Sequence, residues 1–134
     1  MRPMDWSKYI GIPFKHAGRD YNGVDCYGLV YLVLRDTFAL HPPLYTAQYP
    51  AEKDRMRQSQ RMHDALSTDM WVRVTETQPG DMVVFDIHGW PGHVGVLVDK
   101  KSFVHSMKNT ESCAESLDSP LWKPRIRGFY RCAR

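Results

Sequence analysis

The chain has 134 residues and a mass of 15.6 kDa, with 43% apolar and 25% charged residues and a formal net charge of +3. This length allows one domain, residues 1–134, and the composition excludes a largely disordered chain. A weakly basic balance suits an anionic polymer, whether nucleic acid or bacterial cell wall. No stretch is long and apolar enough for a membrane span, and residues 1–11 lack the apolar centre of a signal peptide. We therefore expect synthesis in the cytoplasm without a signal peptide and no membrane insertion.

Helical patterns occupy the first half of the chain. Asp5 can cap a short amphipathic helix that Gly11 and Pro13 stop, and residues 14–25 follow as a loop. An apolar stripe at three-and-four spacing then predicts a central helix, and a charged segment predicts a solvated surface helix rather than a nucleic-acid arm. The predicted helices are residues 6–10, Cys26 to about Phe38, and Ala51 to about Leu66.

Strand patterns occupy the second half. From Trp71 the apolar period alternates, and turn residues separate short runs rich in β-branched side chains. Helices first and strands afterwards indicate an α+β domain in which the central helix packs on an antiparallel sheet. The predicted strands are Trp71–Val74, Met82–Asp86, His93–Val98, Ser102–Ser106 and Ile126–Arg131.

Cys26 stands where a polar, glycine-marked turn enters the central helix. The first N–H groups of a helix have no intrahelical partners and direct partial positive charge at such a position, which favours thiolate over thiol. The alternative is a buried structural cysteine. Cys113 and Cys132 have neither a helix entrance nor a nearby histidine in the sequence, so we expect neither to react. No CxxC pair is present, so a zinc ribbon or a redox pair is not supported.

Two histidines are predicted on neighbouring strands. His93 begins one strand, and Gly95, two residues on, leaves room beside the imidazole on the same face. A three-residue hairpin loop, residues 99–101, pairs Gly95 with His105 and puts both imidazoles on one face. A two-residue loop would put His105 on the opposite face, so the functional interpretation requires the odd loop.

We expect the central helix to pack against the face of the sheet that carries the two histidines, with the cysteine at its start. These three side chains supply the parts of a nucleophilic site. Cys26 would attack a carbonyl, His93 would take its proton and return it to the leaving amine, and His105 would orient His93. The N–H groups at the start of the central helix would bind the oxyanion. Each histidine alone is more often structural, and a zinc site formed by the same three residues is a weaker alternative.

Four segments resemble the ordered signature of the NlpC/P60 family of cell-wall cysteine peptidases, and the likeness covers nearly the whole chain. They are Asp25–Val30, Pro79–Asp81 before a strand, His93–Val96, and Phe103–Ser106. The resemblance implies a papain-like fold and hydrolysis of an amide in peptidoglycan stem peptides, between D-γ-glutamyl and diaminopimelate or lysine. It implies Cys26 as nucleophile, His93 as base and His105 as orienting residue, and no metal or other cofactor.

Two positions depart from the family pattern. Phe14 stands where many members have a tyrosine whose hydroxyl lies in the active site, and Tyr27 stands where serine is common. The phenol is absent, and the larger Tyr27 is expected to reshape the substrate cleft. Trp90, just before His93, is expected in a loop that flanks the cleft, as a substrate platform or as an aromatic that closes the core edge. The candidate substrate-binding residues are Phe14, Asp25, Tyr27 and Trp90.

Further segments resemble the phage and prophage tail-associated branch of the family. They are Gly11–Phe14, Gly18–Asp20, the segment near Tyr45, Leu117–Trp122 and Gly128–Arg131. This likeness implies an enzyme assembled into a tail that acts at the cell wall, with peptidoglycan and possible tail proteins as partners. The alternative is a tail-tip assembly module with weak or restrained hydrolase activity.

Overall fold

A computed structural model describes residues 4–134 of the chain. Two helices, α1 and α2, and a six-stranded antiparallel sheet confirm the predicted α+β class. The sheet order is β3-β8-β4-β5-β6-β7, and β1 and β2 form a separate small hairpin. No helix within residues 4–134 is long and apolar enough to cross a bilayer. The bounds are β1 Arg19–Asp20, β2 Gly23–Val24, α1 Cys26–Asp36, α2 Arg55–Leu66, β3 Trp71–Val74, β4 Met82–Ile87, β5 Trp90–Leu97, β6 Ser102–His105, β7 Cys113–Ser116 and β8 Ile126–Cys132.

Each of the two helices begins just after an aspartate that caps its first turn. Asp25 caps α1 by accepting a hydrogen bond from the Gly28 N–H, and the helix ends at Asp36, two residues before the predicted Phe38. Asp54 caps α2 by accepting from the Arg57 N–H, so this helix begins four residues after the predicted start at residue 51. The predicted N-terminal helix is only a 3-10 turn, Ser7–Tyr9, because Gly11 at φ +85° turns the chain away.

Four of the predicted strands match within two residues, and β5 begins three residues earlier than predicted because it includes Trp90. The loop predicted over residues 14–25 contains the hairpin β1–β2, whose two-residue strands are too short to show a period. Strand β7 was not predicted, because its sequence Cys-Ala-Glu-Ser has weak β-propensity. It pairs with β6 and covers what would otherwise be the edge of the sheet.

The sheet buries both of its faces. Val94, Val96 and Val104 join the α1 residues in one cluster, and Phe85 and Phe103 join Trp122 in a second cluster on the opposite face. Alternation along β5 and β6 assigns each residue to a face. The face that carries α1 is therefore the valine face, and the histidine face is the other one.

Gly95 is where β5 and β6 come closest. A Cβ added there would lie 2.8 Å from Phe103 Cδ2, 3.0 Å from the Val104 carbonyl oxygen and 3.3 Å from His105 Cβ. The room predicted beside this glycine is therefore filled by the neighbouring strand. Glycine at this position allows the two strands to pair without displacing His105.

We expect Gly95→Ala to lower the free energy of unfolding by about 1–3 kcal/mol, because the added methyl group overpacks a buried strand pair. Urea denaturation measures the loss. Gly128→Ala is the matched control: its Cβ would meet only the flexible Arg73 side chain, at 3.2 Å. Equal midpoints for the two variants would contradict the packing argument.

Candidate active site

Cys26 is the first residue of α1, and the Asp25 side chain fixes this helix end. The Asp25 carboxylate is buried and accepts hydrogen bonds from the Gly28 N–H at 2.8 Å, the Ala17 N–H at 3.0 Å and the Tyr49 hydroxyl. Arg19 Nη1 donates to the same carboxylate at 2.8 Å. Asp25 lines the cleft described below, as predicted for a substrate-binding residue, but both of its oxygens already have protein partners.

Arg19 holds the loops around the helix start. Besides Asp25, it donates to the Gly18 carbonyl oxygen at 2.8 Å and to the Leu44 carbonyl oxygen at 2.9 Å. Its guanidinium lies 5.2 Å from the ring centroids of both Tyr27 and Tyr49. Its Nη2 is buried and has no hydrogen-bond partner among residues 4–134, and the two aromatic faces offset part of that cost.

The register of β5 and β6 brings His93 and His105 together. Val96 pairs with Val104 and Leu97 with Phe103, which is the register of the predicted three-residue loop. The His93 Nε2 and His105 Nδ1 atoms are 2.8 Å apart, and the two rings meet at 73°. The prediction that the imidazoles share one sheet face is confirmed.

Glu115 and Trp122 complete this cluster, and sequence reasoning missed both. Glu115 Oε2 lies 2.5 Å from His105 Nε2 and accepts a hydrogen bond from Trp122 Nε1 at 3.1 Å. Trp122 is buried and stacks on His93, with centroids 5.2 Å apart. The sequence offered one signal for Glu115. In the segment Cys113-Ala-Glu-Ser, Cys113 and Glu115 are two residues apart, so a short strand after the histidine strand places both on one face.

Cys26 approaches the histidines differently from the prediction, because α1 packs on the valine face and not on the histidine face. A β-bulge lies beside His93. Phe85 pairs with His93 and Asp86 with Pro91, so Gly92 is an extra residue in β5 next to His93. Bulges twist a strand and re-aim its side chains. Cys26, Gly92 and His93 all line one cleft.

The surroundings of Cys26 and His93 favour their neutral forms. Burial raises the pKa of the Cys26 thiol to about 12, and the Asp25 charge adds to this rise, although the N–H groups of Val94 and Tyr27 face the sulfur and oppose it. Burial, with His105 nearby, lowers the pKa of His93 to about 3. This direction is opposite to the one expected from the helix entrance, because desolvation of the sulfur outweighs the N–H groups that face it.

The cleft has a volume of about 420 Å³. One wall comes from α2, and Phe14 and Tyr27, two of the candidate substrate-binding residues, line the cleft. The Tyr27 ring packs edge-on against Tyr45, and its hydroxyl donates to the Pro43 carbonyl oxygen at 2.6 Å. Trp90 lies outside the lining residues in the described chain, and its side chain is 62% exposed on the β4–β5 hairpin.

One group of residues has ligand atoms close enough for a metal ion. His105, Cys113 and Glu115 offer such atoms within 4.8 Å of one another in the part of the chain that is described. Cys113, which was expected not to react, is the register partner of His105. The zinc alternative of Cys26, His93 and His105 meets an obstacle, since the two imidazoles hydrogen-bond to each other through Nε2 and Nδ1.

Comparisons with known proteins agree with this geometry. The chain matches the NlpC/P60 family over residues 11–131. The murein DD-endopeptidase MepS/murein LD-carboxypeptidase of Escherichia coli K12 is 26% identical over 121 residues, which cover 90% of this chain and 54% of that protein. The probable endopeptidase NlpC of the same strain is 29% identical over 126 residues, 92% of this chain and 70% of that protein. The chain thus spans about half the length of the first of these relatives.

The fold is also similar to a solved structure, the NlpC/p60 domain of the peptidoglycan hydrolase SagA. The two share 20% identity and a TM-score of 0.58, over 92% of this chain and 89% of that one. With the family match extending from Gly11 to Arg131 and the fold agreeing with it, this chain belongs to the NlpC/P60 family.

Proposed function

We propose that residues 1–134 form a single catalytic domain, a cysteine endopeptidase that hydrolyses an amide bond in peptidoglycan stem peptides. The observation that supports this most is that His93 lines the same cleft as Cys26 while its Nε2 atom lies 2.8 Å from Nδ1 of the buried His105. The relatives named above as murein and probable endopeptidases support the substrate class.

In the proposed reaction, Cys26 is the nucleophile. His93 Nε2 is engaged by His105, which leaves His93 Nδ1 to accept the thiol proton. The sulfur attacks the carbonyl carbon, and the same proton then passes to the leaving amine. Burial raises the pKa of the Cys26 thiol and lowers that of His93, which favours the neutral form of both groups, so we propose that proton transfer accompanies the attack instead of preceding it.

The oxyanion donors follow from the hydrogen bonds at the start of α1. The Gly28 N–H is used by Asp25, so we propose the Cys26 N–H as the donor of this helix end. Phe14 lines the cleft without a hydroxyl, so it cannot supply the hydrogen bond expected from a tyrosine there.

The charges along the cleft suit an anionic peptide. Four cationic side chains line it, against the carboxylates of Asp25 and Glu52. Lys108 pairs with Glu52 at 3.4 Å, and Arg61 donates to the backbone of the segment before α2. The cationic residues are Arg19, Arg55, Arg61 and Lys108. Stem peptides that bear free carboxylates, as in the D-γ-glutamyl to diaminopimelate or lysine linkage, would meet a favourable field here.

The setting we propose is a phage or prophage tail, with synthesis in the cytoplasm and action at the cell wall. The support is the sequence likeness of the segments around Gly11, Gly18, Leu117 and Gly128 to that branch. One observation favours the second candidate, a tail-tip module with restrained activity: burial holds the Cys26 thiol protonated, as its raised pKa indicates.

We expect Cys26→Ala to lower release of fragments from purified peptidoglycan by at least about 10³-fold, because the substitution removes the sulfur that forms the acyl intermediate. Mass spectrometry of the new termini also identifies the bond: a freed diaminopimelate or lysine amine indicates the D-γ-glutamyl linkage, and separated cross-links indicate DD cleavage. Cys113→Ser is the matched control and should retain activity. Undiminished release by Cys26→Ala would point to another nucleophile.

The Cys26 thiol should alkylate more rapidly as pH rises, by about tenfold per pH unit between pH 6 and 9. Burial raises its pKa to about 12, so the thiolate fraction grows throughout this range. Peptide mass spectrometry after iodoacetamide treatment follows Cys26 separately from Cys113 and Cys132. A rate independent of pH from 5 to 8 would instead show a preformed thiolate–imidazolium pair.

If the chain is a tail component, it should sediment with assembled particles after induction of a host that carries the gene. Immunoblotting of gradient fractions detects it, and the Cys26→Ala protein should assemble equally well because the side chain is inside the cleft. Recovery only in the soluble fractions would contradict the tail setting while leaving the peptidase proposal intact.

A further inference from the structure

Glu115 stands at the end of a continuous line of polar contacts from the cleft. His93 Nε2 contacts His105 Nδ1 at 2.8 Å, and His105 Nε2 contacts Glu115 Oε2 at 2.5 Å. Trp122 Nε1 holds the same oxygen at 3.1 Å, and the Trp122 ring lies 5.2 Å from His93 and 5.1 Å from His105, centroid to centroid. The indole therefore contacts all three members.

The direction of each hydrogen bond follows from the carboxylate. An ionised carboxylate only accepts, so His105 must carry its proton on Nε2. A neutral His105 then has a lone pair on Nδ1, which accepts from a proton on His93 Nε2. A neutral His93 protonated on Nε2 has its lone pair on Nδ1, the atom proposed to take the Cys26 proton. The opposite tautomers would leave His93 Nδ1 occupied by a proton and unable to act as base.

We infer that Glu115 is a positioning residue that fixes the tautomers of His105 and His93 and stabilises the positive charge that forms on His93 during attack. This inference rests on the proposed function for its kinetic consequences only. In the step itself, the S–H bond of Cys26 breaks and an N–H bond forms at His93 Nδ1, while the sulfur bonds to the carbonyl carbon and the carbonyl electron pair moves to oxygen. No proton needs to reach Glu115, whose charge acts through His105.

The environment of His105 agrees with this role. Its side chain is fully buried, and burial lowers its pKa, whereas the hydrogen bond and charge of Glu115 act in the opposite direction. Glu115 itself is only 32% exposed. A carboxylate shielded to this extent has a stronger field on a neighbouring imidazole than one in bulk water.

Two substitutions separate the charge of Glu115 from its shape. Glu115→Gln keeps an oxygen that Trp122 Nε1 can hold toward His105, so the tautomers should persist while the charge is lost. We expect kcat/KM on peptidoglycan fragments to fall about tenfold, KM to change by less than about twofold, and the acid limb of the pH profile to move to lower pH. Glu115→Leu also removes the hydrogen-bond acceptor, so we expect kcat/KM to fall about 100-fold. Glu115→Gln should therefore be more active than Glu115→Leu.

The tautomers can be measured without substrate. Two-bond ¹⁵N–¹H correlations should show both imidazoles of the wild-type protein protonated on Nε2, and Glu115→Leu should add His105 protonated on Nδ1. Protonation of either wild-type ring on Nδ1 overturns the inference. A Glu115→Gln variant whose kcat/KM and acid limb of the pH profile equal those of the wild type also overturns it. If the wild type releases no fragments, the proposed function fails, while the tautomers still decide this inference.

Cys113→Ser is the matched control, because Cys113 lies on the same strand and opposite His105 but outside the line of hydrogen bonds. Its activity, pH profile and tautomers should equal those of the wild type. A loss comparable to that of Glu115→Leu would show that Glu115 acts as a metal ligand with His105 and Cys113, and would overturn the positioning role. If Glu115→Leu does not fold, the Gln variant and the wild-type spectra still give the answer.

Discussion

The pairing register of β5 and β6 is the constraint on which the site depends. Side chains on a strand alternate between faces, so a shift of one residue in this hairpin would move His105 to the valine face and break its contact with His93. The register is fixed from both faces at once. Val96 and Val104 pack under α1, and Phe103 packs against Phe85 on the other side, so a slip would move His105 among the α1 residues and take Val104 and Phe103 out of their clusters. Packing of the core thereby determines the chemistry of the cleft.

Desolvation has opposite effects on the stability of the resting site and on its reactivity. Burial raises the pKa of the thiol and lowers the pKa of the imidazole, which favours the neutral form of both and disfavours a buried ion pair in the resting protein. The same burial strengthens interactions with charge that forms later, because water screens that charge less. A site of this kind depends on preplaced polar groups, such as the Val94 N–H near the sulfur and the carboxylate beyond His105, more than on a ready-made thiolate.

Local patterns in the sequence were enough for much of this arrangement. The alternation around Gly95 and the odd loop length predicted the face shared by the two histidines, and the polar turn before Cys26 predicted the start of α1. Features that depend on residues distant in the sequence could not be predicted from local patterns. The position of Glu115 needs β7, whose four residues have little β-propensity, and the pKa of Cys26 depends on burial by elements such as α2. The bulge at Gly92, next to His93, adds one residue to β5 and leaves no repeating pattern in the sequence by which it could be predicted.

The place of β8 in the sheet governs the order in which the fold can form. This strand, Ile126–Cys132, lies between β3 and β4. Within the described sheet, β3 is an edge strand and pairs only with β8. During synthesis β3 emerges about fifty residues before its partner, so it has no ladder to join until residues 126–132 have left the ribosome. The histidine hairpin can pair early, whereas closure of the sheet across its middle is a late event. The sheet that carries the two histidines is in this way completed only after residues 126–132 have been translated.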